Sequence, residues 1–326
     1  MTRPLAVLIM ACVLTVTACA ESLVPGGRAL GIRMSTDGVV VAGLTEVETA
    51  SGKISPARDA GLTAGDVIVR IGGTEISGAD ELSAAMRGLD GEKTTVTFER
   101  QGKTRQVNVT PAKCTDGSLR LGVLLRDGIS GIGTLTFFDP ATGVYGALGH
   151  SISDADSGSI LPLGEGEICS AQIIGVTPGK AGEPGALSGK ADETEVLGDI
   201  GINCPQGIFG KAEFDVGAPL ETGEMKSGSA KILCTLDGEK VGEYSIEICR
   251  VLKDGESCTA VIRATDPVLL SVSGGIVQGM SGSPIIQDGR LVGAVTHVFI
   301  NDPTGGYAIS IQDMLEAAEQ CIDTAA

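Results

Sequence analysis

Gly279-Met280-Ser281-Gly282-Ser283-Pro284-Ile285-Ile286-Gln287-Asp288-Gly289-Arg290-Leu291-Val292-Gly293-Ala294-Val295 is the stretch on which the reading of this chain turns. It sets a serine in a tight, glycine-flanked turn, then a short apolar strand, a reversal at Gln287–Arg290 and a second apolar strand. A hydroxyl that is to act as a nucleophile needs such a setting. It must project from a turn whose backbone N–H groups face the oxyanion that forms, and side chains there would obstruct the substrate. Ser281 is therefore the candidate nucleophile, and the backbone amides of Gly279 and Ser281 are the candidate oxyanion hole.

A serine is a poor nucleophile at neutral pH without a nearby base, and the chain has only two histidines, His150 and His297. His150 ends the apolar run Tyr145–Leu148 and opens a polar loop, where a base carried by the first of two barrels belongs; it is the favoured base. His297 lies inside the strand that follows the nucleophile hairpin and is read as lining the cleft or packing in the core. The acid that would orient the imidazole is not chosen by position, because carboxylates are plentiful. The turn resembles that of chymotrypsin-like serine peptidases, with Ser283 replacing the usual second glycine.

Upstream, Ala57–Ile76 (ARDAGLTAGDVIVRIGGTEI) places a Gly-Asp turn before the strand Val67–Ile71 and a Gly-Gly turn after it. Leu82, Ala85, Met86 and Leu89 then recur at helical spacing, with Ser77 or Asp80 as the cap, and two alternating strands follow at Thr94–Arg100 and Thr104–Thr110. This order and the AGLTAGDVIVRIGG signature resemble a PDZ domain over residues 28–111. The resemblance implies that a hydrophobic-Gly-hydrophobic triplet, matched here by Leu30-Gly31-Ile32, offers N–H groups to a peptide carboxylate while a strand accepts the peptide.

From residue 113 to 326 the pattern changes to short apolar strands (Thr134–Phe138, Val144–Leu148, Ile168–Val176, Ile232–Leu236, Leu291–Phe299) between glycine-rich turns, which predicts a barrel or sandwich. Residues Thr177–Thr222 are rich in Gly, Pro, Asp and Glu and read as long surface loops. A helix closes the chain, with Ser310 as N-cap, Asp313 three residues on, and Ile311, Leu315, Ala318 and Ile322 on one face. The fold class is therefore mainly β: a PDZ domain followed by a chymotrypsin-like double barrel with a C-terminal helix.

Composition narrows the partners. With 24 basic against 41 acidic residues, a formal charge of -17, the chain repels phosphate backbones and anionic lipid surfaces, so nucleic acid is excluded as a partner. Residues 4–18 are an apolar run behind Arg3, too short for a dedicated membrane helix and suited to export. Residues 1–20 thus read as a signal peptide or anchor, cleaved near Ala18-Cys19-Ala20, lipidated at Cys19, or retained. Seven further cysteines follow with no CxxC pair, so no zinc spacing is present, and no metal or organic cofactor is implied.

The segments PGGRALGI, GIGTLTFFDPATGVYGALGHSI and IVQGMSGSPIIQDGRLVGAVTHVFINDPTGGYAI together resemble the stage IV sporulation protein B (SpoIVB) peptidases, serine peptidase family S55, across nearly the whole chain. The resemblance implies an aspartate acid shortly before the nucleophile, matched by Asp266; Asp302, in Asn301-Asp302-Pro303 after the nucleophile, is a second choice that the resemblance does not supply. It also implies export to the space between mother cell and forespore. The expected activity is limited cleavage of a membrane-bound regulatory protein of sporulation and of the chain's own N-terminal segment. The rival classes are a non-catalytic PDZ scaffold, which a missing histidine or serine would favour, and a quality-control protease, in which PDZ modules follow the catalytic domain.

Overall fold

The computed structural model describes residues 21–323 except 101, 155–157, 215–216 and 256; the leader at 1–20 and Cys19 lie outside the described residues. Two 16-residue strands organise the rest: β2 (Ala29–Leu44) and β6 (Val123–Phe138) pair antiparallel from Ala29↔Thr134 to Leu44↔Val123. The register shifts near Leu124 and Arg126, so the ribbon bends partway along its length.

One half of the ribbon builds the first sheet of the peptidase. β1 (Ser22–Pro25) pairs with the end of β6, and β7 (Val144–Ala147) pairs with β6 and with β10 (Gly207–Lys211). On the other side β8 (Leu163–Thr177) pairs with β2 and with β9 (Ala186–Asp199). The order β10-β7-β6-β2-β8-β9 is drawn round by a bridge between Gly198 and Ala212, which brings its two ends together. Leu30, Ile32, Tyr145, Ala147, Ile168 and Ile208 fill the interior. The stretch expected as loops between Thr177 and Thr222 thus contains β9 and β10. The reading missed them because β9 (ALSGKADETEVLGD) is mostly polar and exposed and meets β8 through several register shifts, which break the period-2 pattern.

The other half of the ribbon belongs to the PDZ-like unit. β3 (Val67–Ile71) pairs with β2 at Val39↔Ile68, β4 (Thr94–Arg100) with β3, and β5 (Lys103–Val109) with β4. Helix α1 (Ala79–Arg87) buries Leu82 in a core with Val41, Ile68, Ile71, Val96 and Phe98. Its N-cap is Gly78, with no side-chain cap from Ser77 or Asp80. Asp66 of the Gly-Asp turn is fully buried. It accepts from Arg100 Nε at 2.6 Å and Nη2 at 2.7 Å and from the Thr63 N–H at 2.8 Å, a pairing that lets a charge sit in the core.

The boundaries drawn at 28–111 and 113–326 shift accordingly. β1 and residues 29–36 supply peptidase strands, and Val123–Arg126 pairs with the PDZ half of β2.

The second barrel closes in the order β11 (Gly228–Asp237), β12 (Lys240–Asp254), β13 (Ser257–Ala264), β16 (Gly305–Ser310), β15 (Arg290–Val298), β14 (Pro284–Gln287). Ile232, Ile248, Ile262, Ile285 and Val295 are among its buried residues. Helix α2 (Pro267–Ser273) connects β13 to the nucleophile segment. Helix α3 (Ile311–Asp323) starts where expected: the Asp313 N–H donates to Ser310 Oγ at 3.1 Å and Ser310 Oγ to Asp313 Oδ1 at 2.6 Å. Its Ile311, Met314 and Ala318 pack with Phe137, Val144 and Phe209 of the first barrel and Leu291, Ala294 and Ile309 of the second, joining the two. Cys114, Cys169, Cys204, Cys234, Cys249 and Cys258 are free thiols, and burial pushes Cys234 up to about 12.

Candidate active site

Two glycines shape the turn that carries Ser281. Gly279 has φ +96° and Gly282 φ +93°, the left-handed region that side chains rarely adopt. A Cβ on Gly282 would lie 2.1 Å from the Thr134 carbonyl oxygen, so strand β6 can press against the turn only because Gly282 has none. The pressure is used for bonding. Thr134 Oγ1 donates to the Gly279 carbonyl at 2.8 Å, Thr136 Oγ1 to the Gly282 carbonyl at 2.8 Å, and the Thr134 N–H to the Ser281 carbonyl at 3.1 Å. From the other side the Gly282 N–H donates to the Val295 carbonyl at 2.8 Å. Ser283, in place of the usual second glycine, is fully buried with its Oγ lacking a partner among the described residues.

The same network orients the oxyanion hole. A trans peptide unit points its N–H opposite its C=O, so whatever holds the carbonyl aims the N–H. The Leu187 N–H holds the Gln278 carbonyl at 2.8 Å and the Ser283 N–H holds the Met280 carbonyl at 2.9 Å. The N–H groups on those two peptide units are those of Gly279 and Ser281, and neither donates to a protein acceptor among the described residues.

β7 delivers the base. After it, Leu148 (φ +70°) and Gly149 (φ +67°) are both left-handed and turn the chain so that His150 enters the cleft between the barrels. Leu148 carries about 1 kcal/mol of strain for this, since a branched residue seldom takes that conformation. His150 Nδ1 lies 2.9 Å from the Ser151 carbonyl. A carbonyl only accepts, so Nδ1 carries the proton and Nε2 is left with a free lone pair. The His297 ring stacks on that of His150, with centroids 4.5 Å apart and planes tilted by 34°. Burial pushes both imidazoles below their ordinary value of 6.5, and His297 lowers His150 further.

His150, Ser281 and His297 share a cleft of about 530 Å³. Its walls are apolar: Ile32, Ile132 and Leu148 from the first barrel face Ile276, Val277 and Val298 of the second. Ser281 Oγ donates to the Thr296 carbonyl at 2.6 Å rather than to His150.

The carboxylates expected as the triad acid are elsewhere. Asp266 caps α2: its Oδ1 accepts the Val268 N–H at 2.9 Å and the Leu269 N–H at 3.2 Å, and its Oδ2 the Ser245 N–H at 3.2 Å. Slight burial pushes Asp266 up, but these three N–H groups hold its carboxyl below the usual range. Asp302 accepts from the Thr304 hydroxyl at 2.6 Å and faces Arg263 at 3.9 Å. Neither lines the cleft, and no other carboxylate does among the described residues.

The peptide-binding triplet is also elsewhere. Leu30-Gly31-Ile32 is paired on both edges, with β6 at Gly133, Ile132 and Gly131 and with β8 at Ser170, Cys169 and Ile168. It lies inside β2 and is paired on both sides, so its N–H groups are not presented at a loop end, and Gly31 serves to let β9 cross: a Cβ there would lie 2.5 Å from that of Ala191. A second triplet, Leu121-Gly122-Val123, occupies the loop position, with Gly122 at φ +74°. It heads a groove of about 830 Å³ between α1 (Leu82, Met86) and the start of β6, where Leu124 and Leu125 are exposed.

A family model described as SpoIVB peptidase S55 matches residues 117–315. The chain belongs to the SpoIVB peptidase S55 family. A PDZ model matches residues 49–100, ahead of the peptidase match. Among curated proteins, this S55 chain is 50% identical over 58 residues to the putative zinc metalloprotease SA1105 of Staphylococcus aureus, covering 18% of the chain and 14% of that protein. It is 32% identical over 117 residues to the putative zinc metalloprotease LL2128 of Lactococcus lactis, covering 34% and 25% respectively. The chain therefore spans about a seventh to a quarter of those relatives' lengths. Among solved structures, the active form of the Rv3671c protease of M. tuberculosis aligns with a TM-score of 0.35 at 16% identity, over 60% of this chain and 74% of that one. The HtrA-type protease AlgW with a decapeptide aligns at 0.33 and 13%, over 63% and 54%.

Proposed function

We propose that this S55 peptidase is an endopeptidase in which Ser281 attacks the scissile carbonyl and His150 Nε2 takes its proton. The observation that carries this reading is the convergence of Ser281, a His150 with a free Nε2 and two unengaged N–H groups in one cleft. Rotation of Ser281 about its Cα–Cβ bond, from the Thr296 carbonyl towards the imidazole, precedes attack. The oxyanion that forms is stabilised by the Gly279 and Ser281 amides. The imidazolium then protonates the leaving amine, and water repeats the cycle on the acyl-enzyme.

The substrate is a protein. Family resemblance supports an exported enzyme that cleaves a membrane-bound regulator of sporulation and its own N-terminal segment. The groove headed by Leu121-Gly122-Val123 recruits a peptide tail by strand addition to the open edge of β6. Incubation of the chain and its Ser281→Ala variant, followed by intact mass and by labelling with a fluorophosphonate, tests the reading. Self-cleavage and labelling of the parent alone are expected; equal cleavage of both would overturn it.

A further inference from the structure

Two segments of the second barrel flank Ser281 in the cleft: the run into the nucleophile turn, from Ile276 to Gly279, and the end of β15. Pairing of β14 with β15 stops at Pro284↔Ala294, and beyond it that edge of β15 has no neighbouring strand among the described residues. On its other edge β15 pairs with β16 at Val295↔Ala308 and again at Val298↔Gly306. Two residues oppose one between these pairs, a bulge that re-aims the backbone. The Thr296 carbonyl is turned to Ser281 Oγ, and the Phe299 N–H donates to the Gly305 carbonyl of β16 at 3.0 Å. Alternation then directs the backbone groups of Val298 away from β16, to the same open edge as the Thr296 carbonyl.

An extended peptide can add to that edge as a further strand. When Ser281 turns towards His150, the Thr296 carbonyl is freed to accept the N–H of the residue that supplies the acyl group. With that residue's carbonyl oxygen on the Gly279 and Ser281 N–H groups, its side chain falls between the two segments. There it meets Ile276, which is 1% exposed and reaches across to β16: a Cβ on Gly306 would lie 3.1 Å from Ile276 Cδ1. Val298 and Gly306 face each other, so Ile276 fills the space beneath Val298. It cannot draw back, because its N–H donates to the Pro303 carbonyl at 2.8 Å and the Gln278 N–H to the Gly185 carbonyl at 2.9 Å. No Asp, Glu, Lys or Arg lines the cleft among the described residues, so a charged substrate side chain would be desolvated there without a partner.

We infer that the residue before the scissile bond carries a short aliphatic side chain, that of alanine or valine, and that Ile276 is the specificity-determining residue that excludes longer and aromatic ones. The inference rests on the serine peptidase reading above and names its substrate class. A pocket with a fixed floor rejects an oversized ring by overpacking but discriminates little against a missing methylene.

The test uses the full chain and peptidyl diphenyl phosphonates that differ only in the residue bearing the phosphorus, the analogues of Ala, Val, Phe, Lys and Glu. Ser281 Oγ displaces phenoxide from the phosphorus and gives its proton to His150, and intact mass follows each labelling rate. In the parent the Ala and Val probes are expected to react at least about tenfold faster than the Phe, Lys and Glu probes. Ile276→Ala is expected to raise the Phe-to-Val rate ratio about tenfold and to leave the Lys and Glu probes slow. A parent that takes Phe, Lys or Glu as fast as Val would overturn the inference, and so would a folded Ile276→Ala variant with an unchanged ratio. Should that variant fail to fold, the ranking in the parent alone decides. Ser281→Ala, run beside them, reports on the peptidase reading. A parent that no probe labels, or a Ser281→Ala variant labelled as fast as the parent, overturns the nucleophile and the pocket with it; labelling of the parent alone, in the wrong order, overturns only the pocket.

Discussion

Leu30-Gly31-Ile32 and Leu121-Gly122-Val123 have the same local pattern, and their strands pair with each other along one ribbon, yet they do opposite things. The first is locked between two neighbouring strands and its glycine admits a third strand across its face. The second ends a loop, and the strand that it starts leaves one edge open along a groove. A triplet is thus a binding loop only when its edge is free, and that depends on residues more than a hundred positions away.

Substitutions can pull the two apart. Gly31→Val is expected to have the largest effect. With no room between Ala191 and the β2 backbone, it should destabilise the first barrel by about 3 kcal/mol in chemical denaturation and abolish activity with it. Leu124→Asp should leave the melting temperature unchanged but weaken binding of a labelled peptide with an aliphatic C-terminus by about tenfold, read by fluorescence anisotropy. An unchanged affinity would move the binding site away from the second triplet. Thr134→Val, at the far end of the same strand, removes the bond to the Gly279 carbonyl and is expected to lower kcat about fivefold with KM unaffected. The smallest effect is one of pH. His150 lies below its ordinary 6.5 through burial and through His297, so it remains an unprotonated base as pH falls to that value and activity fails only below it. His297→Ala relieves both causes, so the acid limb of the rate profile should move up in pH; a limb that stays fixed would mean that the two rings do not interact.

What could be read in advance follows from how local each signal is. Ser281 and the hairpin after it were legible because a nucleophile turn is defined by its own glycines, and His150 because only two histidines existed to choose from. The helix that Asp266 caps was legible too, since Asp-Pro before an apolar run marks a helix start, but the triad pattern claimed the residue first. The stacking of His297 on His150, the acceptor on Ser151 and the threonines that pin the turn arise where strands distant in sequence meet, and no spacing announces them. The polar strand β9 was hidden for a related reason: strand-forming residues that face solvent on an edge look like loop.

The bent ribbon also has a consequence for anyone wishing to separate the modules. A chain started at residue 113 would discard β2, a central strand with partners on both sides, and leave the first barrel gutted. Ser35 and Gly128 face each other across the ribbon, so deleting what lies between them and joining the ends with a tight turn would keep every peptidase strand. The PDZ unit is inserted at the tip of that ribbon and also packs back on the peptidase, its Val67 buried with Met34 and Leu161, so excising it would uncover an apolar seam that a replacement module or a polar substitution at Leu161 must close.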